Sequence, residues 1–270
     1  WMASALHAAP WNLRGNVGDF QNDVWQLYNL NEDFSQSTDL ASEYPEKLAF
    51  LQKTFAQEAK KYNVAPLDDR WVERALIKRP SVIADKYQFS YTQDVRRVPE
   101  GSAPPVFQRT HTITADLTIP EGGAEGAIVA QGGSSGGYAL FIKEGHLYYV
   151  YNFFGLEEYV VKSDIKVPSG AVTVRMEYDQ TQPFRPFIDT FGGVAKLFIN
   201  DQLVGAGDIK NHVIVRYSVT ETLDVGTDLG ASVSAIYRPH EPYEFSGEIH
   251  SVRYELAKDR PTIIEAATNK

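Results

Sequence analysis

The sequence predicts an α+β fold that is mainly β, in which a small antiparallel sheet and one amphipathic helix precede a larger antiparallel sandwich. Three observations lead to this prediction. Aromatic residues make up 12% of the chain, with 15 Tyr and 14 Phe against 2 Met, and this composition favours strands. Apolar and polar residues alternate with period two over much of residues 107–258. One clear helical repeat stands before them, at residues 45–62.

Residues 1–75 form the first predicted region, the sheet with its closing helix. Two short runs that contain aromatic residues, 1–11 and 24–30, flank the turn-rich stretch 15–19. Runs of this kind on either side of Gly and Asn are typical of antiparallel strands. The sequence therefore predicts a small sheet ahead of the helix.

The helix has start and stop signals as well as a periodic apolar face. Pro45 stands at the first helical position, where its fixed φ is suitable and its missing N–H costs nothing. Asn63 is suited to the left-handed residue after a helix, and Pro66 prevents continuation. The apolar stripe recurs at steps of three and four residues and comprises Leu48, Leu51, Phe55, Ala59 and Tyr62.

Beyond the helix, residues 76–106 are predicted as a linker that wraps onto the sandwich, 107–258 as the sandwich and 259–270 as a tail. Residues 109–119 show the alternation most clearly, with His111 among the inward-facing odd positions. Comparable runs follow at 126–131, 138–143, 146–153, 158–162, 172–178, 194–200, 202–206, 212–219 and 244–256. Many short strands separated by turn residues are typical of an antiparallel sandwich.

Composition excludes several classes of function. The formal net charge of −9 argues against nucleic acid and anionic membranes as partners, because both are bound through basic surfaces. No apolar run approaches the length of a membrane span. The chain has no Cys, which excludes disulfides, thiolate metal sites and a cysteine nucleophile. Nothing in the sequence indicates the compartment.

The segment 132–136, Gly-Gly-Ser-Ser-Gly, matches the Gly-x-Ser-x-Gly pattern of a hydrolase nucleophile. That chemistry requires a strand before the serine and a helix after it. Residues 138–143 read as another strand, so a hairpin loop is the favoured interpretation. Its glycines would also let the loop lie close to a neighbouring domain or a glycan.

Oxygen-bearing side chains near Gly226 and Gly230 raise the possibility of calcium, since Glu221, Asp224 and Asp228 lie in one loop. Their spacing is not that of an EF-hand, and a solvated or salt-bridged loop is the favoured alternative. Asp224 and Asp228 are therefore only candidates. We assign no catalytic, cofactor-binding or metal-binding residue from the sequence.

Histidines and aromatic residues give two further hypotheses. His111 is predicted to be a hydrogen-bonded core histidine rather than a ligand, and His7 is a candidate for a substrate-facing role, with a structural role favoured. The second hypothesis is stacking on sugars, for which core packing is the favoured alternative. It concerns Tyr148, Tyr149, Tyr151, Phe153 and Phe154.

Two stretches of the second region resemble a known architecture. Residues 196–209, KLFINDQLVGAGDI, resemble the hairpin of concanavalin- or laminin-G-like jelly rolls. The spacing of residues 138–155 is similar to that fold as well. The resemblance implies a jelly-roll sandwich and says little about function.

Three stretches resemble the C-terminal part of large bacterial arylsulfatases, which use a formylglycine nucleophile. They are residues 25–48 together with KYNVAPLDDR at 61–70, residues 123–159, and ETLDVGTDLGASVS at 221–234. The resemblance implies the end of an alkaline-phosphatase-like enzyme domain with an appended jelly roll. It also implies that the Cys/Ser-x-Pro-x-Arg nucleophile motif and the calcium site of the parent enzyme lie upstream, because neither is present here.

This resemblance leads to the main functional expectation. The chain would be the structural C-terminal part of a sulfuric ester hydrolase, inactive alone, with the upstream sulfatase segment as its partner. The full enzyme would act on a sulfated aryl or sugar substrate. The first alternative is a carbohydrate-binding β-sandwich module without catalysis, and a purely oligomerising tail is the second.

Overall fold

The chain consists of two compact units, Trp1–Lys78 and Arg79–Lys270, called here the first and the second unit. The computed structural model describes residues 1–9, 18–69, 80, 82–83, 85–107, 109–181, 192–213 and 216–258. The predicted tail at 259–270 and most of the turn predicted at 15–19 lie outside the described residues. None of the described helices is both long enough and apolar enough to cross a membrane.

The first unit contains the predicted pair of strands. Strand β1 (Met2–Ala5) runs antiparallel to β2 (Trp25–Tyr28), with Met2 opposite Tyr28 and Ala5 opposite Trp25. Leu27 and Tyr28 at the end of β2 are buried. The aromatic runs on either side of the turn-rich stretch therefore form a hairpin-like pair, as the sequence predicts.

The helix of the first unit, α1 (Pro45–Lys61), begins and ends where its local signals place it. Asn63 adopts a φ of 57°, the left-handed conformation expected after the last turn. The Val64 N–H donates to the Ala59 carbonyl at 2.8 Å, and the Asn63 N–H donates to the Lys60 carbonyl. These two bonds form a Schellman ending, so local sequence is enough to define this helix.

The apolar stripe of α1 is only partly covered. Ala59 is the member of the stripe that is fully buried, while Phe55 is 42% exposed and Tyr62 is 64% exposed. The Phe55 ring meets the Trp25 ring edge-on, with centroids 5.6 Å apart. The described residues of this unit therefore cover only part of the stripe.

The second unit is the predicted antiparallel sandwich of two six-stranded sheets. Its strands are β3 (Gln88–Tyr91), β4 (Val98–Pro99), β5 (His111–Ile119), β6 (Gly126–Gly133), β7 (Gly136–Lys143), β8 (His146–Phe153), β9 (Glu157–Lys166), β10 (Gly170–Gln180), β11 (Gly193–Ile199), β12 (Gln202–Ile209), β13 (Thr222–Val225) and β14 (Glu248–Leu256). One sheet has the order β12-β11-β10-β5-β14-β3, and the other has the order β4-β13-β6-β7-β8-β9.

A single apolar core lies between the two sheets. In β5 the odd positions are buried and the even positions are half-exposed, as the alternation predicts. Ile113 and Leu117 of one sheet belong to the same buried cluster as Leu140 and Tyr149 of the other. Residues from both sheets in one cluster define a sandwich packed face to face.

The central strands β6, β7 and β8 are buried on both faces, which the alternating pattern does not predict. A second apolar cluster on their other face includes Phe141 and Tyr148. It is completed by Val233, Tyr237 and Tyr243 from residues 226–247, which we call the covering loop. This sheet is therefore enclosed between the main core and the covering loop.

Two sequence assignments differ from the structure. The predicted linker at 76–106 contributes β3 and β4, an edge strand in each sheet. The strand predicted at 212–219 is wrong for its described part, which is irregular. There the Val213 N–H donates to the Tyr151 hydroxyl at 2.8 Å instead of joining a ladder, and the missed strand β13 follows.

Candidate functional site

Four loops meet at one end of the strands β6 to β9. They are residues 133–136, 153–156, 217–221 and 230–232, and together we call them the loop rim. The β6–β7 turn has Ser134 and Ser135 at its tip, both exposed, and β7 follows directly. The Gly-x-Ser-x-Gly segment is therefore a hairpin loop, as favoured from the sequence.

Asn152 near the end of β8 holds these loops together. Its side-chain amide donates to the carbonyls of Gly133, Ser134 and Val233, with the last bond at 2.8 Å. Its oxygen accepts from the Gly155 N–H at 2.8 Å. Because Asn152 is buried and satisfied at both ends, it fixes the relative positions of three loops before any ligand arrives.

Residues 217–221 are anchored by a carboxylate below them. Glu100 accepts hydrogen bonds from the backbone N–H groups of Tyr217 and Ser218, at 3.1 and 3.2 Å. Arg216 lies 3.6 Å from the same carboxylate. Burial raises the pKa of Glu100, while these donors and Arg216 act in the opposite direction. The segment is thus held by a charged group that is already engaged.

Glu221 occupies a notch that two glycines make. A Cβ atom at Gly133 would lie 2.7 Å from the Glu221 Cγ, and one at Gly230 would collide with its carboxylate. The Glu221 N–H donates to the Ser218 hydroxyl at 3.1 Å. Among the described residues its carboxylate has no hydrogen-bond or ion-pair partner, so both oxygens are available to accept.

An aromatic ring and several hydroxyls lie in the same rim. Phe154 is 46% exposed and meets the Phe153 ring at 5.0 Å between centroids. Phe154 lies close to the β6–β7 turn, because a Cβ atom at Gly136 would be 3.7 Å from the Phe154 backbone nitrogen. The β6–β7 turn is therefore next to Glu221 at Gly133 and next to the Phe154 segment at Gly136.

The other aromatic residues considered for sugar stacking are in the core. Tyr149 and Tyr151 lie between the sheets, and Phe153 packs partly against the same cluster. Tyr148 is stacked on Phe141 beneath the covering loop, with centroids 5.0 Å apart and planes at 7°. Core packing thus accounts for these rings, and Phe154 is the exception.

Asp224 and Asp228 are occupied by protein donors. Asp224 accepts from the Arg97 N–H at 2.7 Å and from the Thr222 hydroxyl at 3.1 Å. Asp228 accepts from the Tyr237 hydroxyl at 2.6 Å and from the Val233 N–H at 2.9 Å. Across the described ranges, no group of three or more His, Asp or Glu side chains has an arrangement that could hold a metal ion.

Asp228 is electrostatically unusual because it is a buried carboxylate within the covering loop. Burial raises the pKa of Asp228 to about 6, and the charges of Asp224 and Glu221 act in the same direction. The hydrogen bonds from Tyr237 and Val233 act in the opposite direction. This carboxylate anchors the loop rather than facing a ligand.

The two histidines singled out from the sequence have structural surroundings. His111 is buried, and its Nδ1–H donates to the Arg109 carbonyl at 2.8 Å. Burial lowers the pKa of His111 to about 4, so the ring is neutral at pH 7. His7 lies between Asp23 and Asp69 in the first unit, with one ring nitrogen facing each carboxylate.

The rim presents hydrogen-bonding groups and an exposed ring, and its described residues form no catalytic arrangement. Ser134 and Ser135 have no histidine or carboxylate within hydrogen-bonding distance among the described residues. A nucleophile without a base is not activated. The glycine loop, Glu221 and Phe154 are separate features of the sequence, and the structure brings them together in the rim. The importance of Asn152 was not predicted from the sequence, where its one signal is an amide side chain within a strand rich in aromatic residues.

No protein-family model and no curated protein matches the sequence. Solved structures similar to the chain include a CBM40 of Ruminococcus gnavus IT-sialidase bound to α2,6-sialyllactose, at 16% identity and a TM-score of 0.42, covering 66% of this chain and 96% of that one. The SAP-like pentraxin of Limulus polyphemus is 14% identical with a TM-score of 0.36, covering 66% and 75%. Domains LG4-5 of the mouse laminin α1 chain are 15% identical with a TM-score of 0.35, covering 64% and 41%. None of these three is named as a sulfatase.

Proposed function

We propose that the second unit is a non-catalytic carbohydrate-binding module and that the loop rim is its ligand site. One observation carries the proposal: the carboxylate of Glu221 lies in a glycine notch and has no hydrogen-bond or ion-pair partner among the described residues. It lies in the same rim as the exposed ring of Phe154 and the hydroxyls of Ser134 and Ser135.

A sugar matches these groups chemically. Adjacent sugar hydroxyls are donors that one carboxylate can accept together, and serine hydroxyls can both donate and accept. The C–H face of a pyranose is apolar and packs on an aromatic ring. Because Asn152 already holds the loops in place, little conformational entropy is lost when a ligand binds.

The charge of the rim favours neutral over sulfated sugars. Glu157 and Glu158 directly follow the loop 153–156, and Glu221 ends the loop 217–221, whereas Arg216 before that loop lies 3.6 Å from the Glu100 carboxylate. Bringing a sulfate group close to these carboxylates would be repulsive. A sulfated oligosaccharide is therefore expected to bind more weakly than its unsulfated counterpart.

Calorimetry of the full chain with matched neutral and sulfated oligosaccharides tests the proposal. Removing the charge in Glu221→Gln, or the ring in Phe154→Ala, should weaken binding by about tenfold each, corresponding to about 1.4 kcal/mol. Glu144→Gln is the matched control, since this exposed glutamate lies in the β7–β8 turn at the other end of the strands. Absence of binding to any glycan, or equal losses in the control, would refute the module.

A second candidate function concerns the first unit and is favoured by its exposed apolar side chains. Ten large hydrophobic residues are exposed there among those described, and three hydrophobic residues are buried. The exposed ones are Trp1, Leu6, Val24, Phe34, Tyr44, Phe50, Phe55, Tyr62, Val64 and Leu67. Such a surface fits a closing element that packs against another domain.

For that domain we propose the upstream part of an arylsulfatase-like hydrolase. It would contribute the nucleophile and a calcium ion, with a sulfated aryl or sugar ester as substrate. An assay with a chromogenic aryl sulfate tests this assignment by comparing two chains. The present chain should show no turnover, and a longer chain that includes the upstream segment should show calcium-dependent turnover. Turnover by the present chain, or none by the longer one, would contradict this assignment.

A further inference from the structure

His7 of the first unit lies between two carboxylates. Its Nδ1 is 2.7 Å from an Asp23 oxygen, and its Nε2 is 3.3 Å from an Asp69 oxygen. The side chain of His7 is 13% exposed, and that of Asp23 is 15% exposed. The imidazole thus bridges two acidic side chains that are 46 positions apart in the sequence.

The positions of these atoms define the protonation state that fits them. An ionised carboxylate only accepts hydrogen bonds, so each ring nitrogen needs a proton to bond to its partner. A neutral imidazole has one such proton and an imidazolium has two. The ring also stacks on Phe20, with centroids 3.8 Å apart and planes at 18°. A positive ring over an aromatic face is favourable, so both contacts fit the imidazolium.

The bridge joins three segments of the first unit. His7 follows β1, Phe20 and Asp23 belong to the short turn before β2, and Asp69 lies in the segment that follows α1. Among the described residues of this unit only Leu27, Tyr28 and Ala59 are buried hydrophobic residues. Few buried apolar side chains among the described residues therefore connect these segments, and the bridge at His7 adds polar contacts between them.

We propose that protonated His7 is a pH-sensitive clasp that ties residues 64–69 to β1 and opens as the pH rises. Among the described residues, the titratable groups that face the ring are Asp23 on one side and Asp69 on the other, and Phe20 covers a ring face. Loss of one proton leaves a single donor. The remaining proton stays on Nδ1, which forms the shorter contact with Asp23. Asp69 then loses its hydrogen bond and is released together with the segment after α1.

The electrostatics agree in sign with this geometry. The hydrogen bond to Asp23 is the largest influence, and together with Asp69 it raises the pKa of His7 above 6.5. A cationic group whose pKa is higher in the folded state than in the unfolded chain stabilises the folded state fully at pH values below the unfolded pKa. The contribution is lost as the pH rises through the folded pKa, which means that the clasp is closed in mildly acidic solution.

NMR titration of the full chain tests the clasp directly. We expect His7 to titrate above 6.5, and the backbone signals of Leu67 and Asp69 to move with the same midpoint. A His7 midpoint at or below 6.5, or signals of residues 67–69 that do not follow it, would overturn the proposal.

The variant Asp69→Asn separates a clasp from a purely structural contact. It should lower the His7 midpoint and abolish the titration of the Leu67 signal, while the Asp23 contact remains. Asp23→Asn should lower the midpoint more, since that bond is the shorter one. If either variant fails to fold, the titration of the unmodified chain still decides between the two outcomes.

Discussion

The two units of this chain reach their structures in different ways. In the second unit one cluster of buried side chains fills the space between the sheets, and another lies beneath the covering loop. In the first unit the described buried hydrophobic residues are Leu27, Tyr28 and Ala59. The sandwich is therefore stabilised mainly by its interior, whereas the first unit depends on local helix signals and on polar bridges such as the one at His7.

This difference shows that helix formation and helix burial are separate properties. The cap residues and the periodic stripe of α1 define where it begins and ends, but they do not supply a surface for the stripe to pack against. The covering loop shows the opposite case, because residues without regular structure complete an apolar cluster. Burial then depends on what the rest of the chain, or a partner, provides.

The largest expected effect tests the interior of the sandwich. Leu140 in β7 is completely buried between the sheets. Leu140→Ala should lower the free energy of unfolding by about 2–5 kcal/mol, because it removes apolar contacts and leaves a cavity. Urea unfolding followed by near-ultraviolet circular dichroism of the tyrosine-rich core measures this loss. A loss below 1 kcal/mol would mean that the core relaxes around the site.

The next effect concerns the anchor of the covering loop. The pKa of Asp228 is raised to about 6, so the folded state binds a proton more tightly than the unfolded chain does. Stability should therefore fall as the pH rises from about 4 to about 6, by up to about 3 kcal/mol, and Asp228 should contribute no further change above that range.

The variant Asp228→Asn identifies the source of this slope. Asparagine retains an oxygen that can accept from Tyr237 and Val233 but has no charge to bury. The slope should disappear, and stability at pH 7 should increase. A slope that persists in the variant would assign the pH dependence to another group.

The smallest expected effect tests the exposed stripe of the first unit. Phe55 is 42% exposed and contacts Trp25 through its edge. Phe55→Ala should cost less than about 1 kcal/mol in the present chain, as expected for a site without a deep cavity. In a longer chain that contains the proposed partner domain, the same change should cost about 2–3 kcal/mol. Equal costs in the two chains, measured by urea unfolding, would argue against a missing partner surface.

Local patterns predicted a large part of the fold. The ends of α1 follow from Pro45 and Asn63, and the buried face of β5 follows from its alternation, because both depend on residues close in sequence. Residues 212–219 show where this reasoning fails. Their pattern is strand-like, but Tyr151, some sixty residues earlier, takes the Val213 N–H and the His212 ring as partners.

The candidate site could be predicted only in pieces. The glycine loop, the carboxylate of Glu221 and the ring of Phe154 are each visible in the sequence, at positions far apart. Their proximity comes from antiparallel pairing of β6, β7 and β8, and from Asn152, which binds loops from different parts of the chain. The partners of Asp224 and Asp228 are equally nonlocal, which is why a calcium loop and an anchored loop look alike in sequence.

The sequence by itself determined the mainly β class, the helix with its caps and stripe, and the absence of cysteine chemistry, since each of these depends on composition or on neighbouring residues. Only the tertiary structure decided which carboxylates are engaged and which is available. Asp228 lies within the covering loop and accepts from two donors, whereas the carboxylate of Glu221 lies in a glycine notch with no donor among the described residues. The reason is physical: whether a carboxylate can receive a ligand depends on the donors that surround it in space, and strand pairing sets those neighbours.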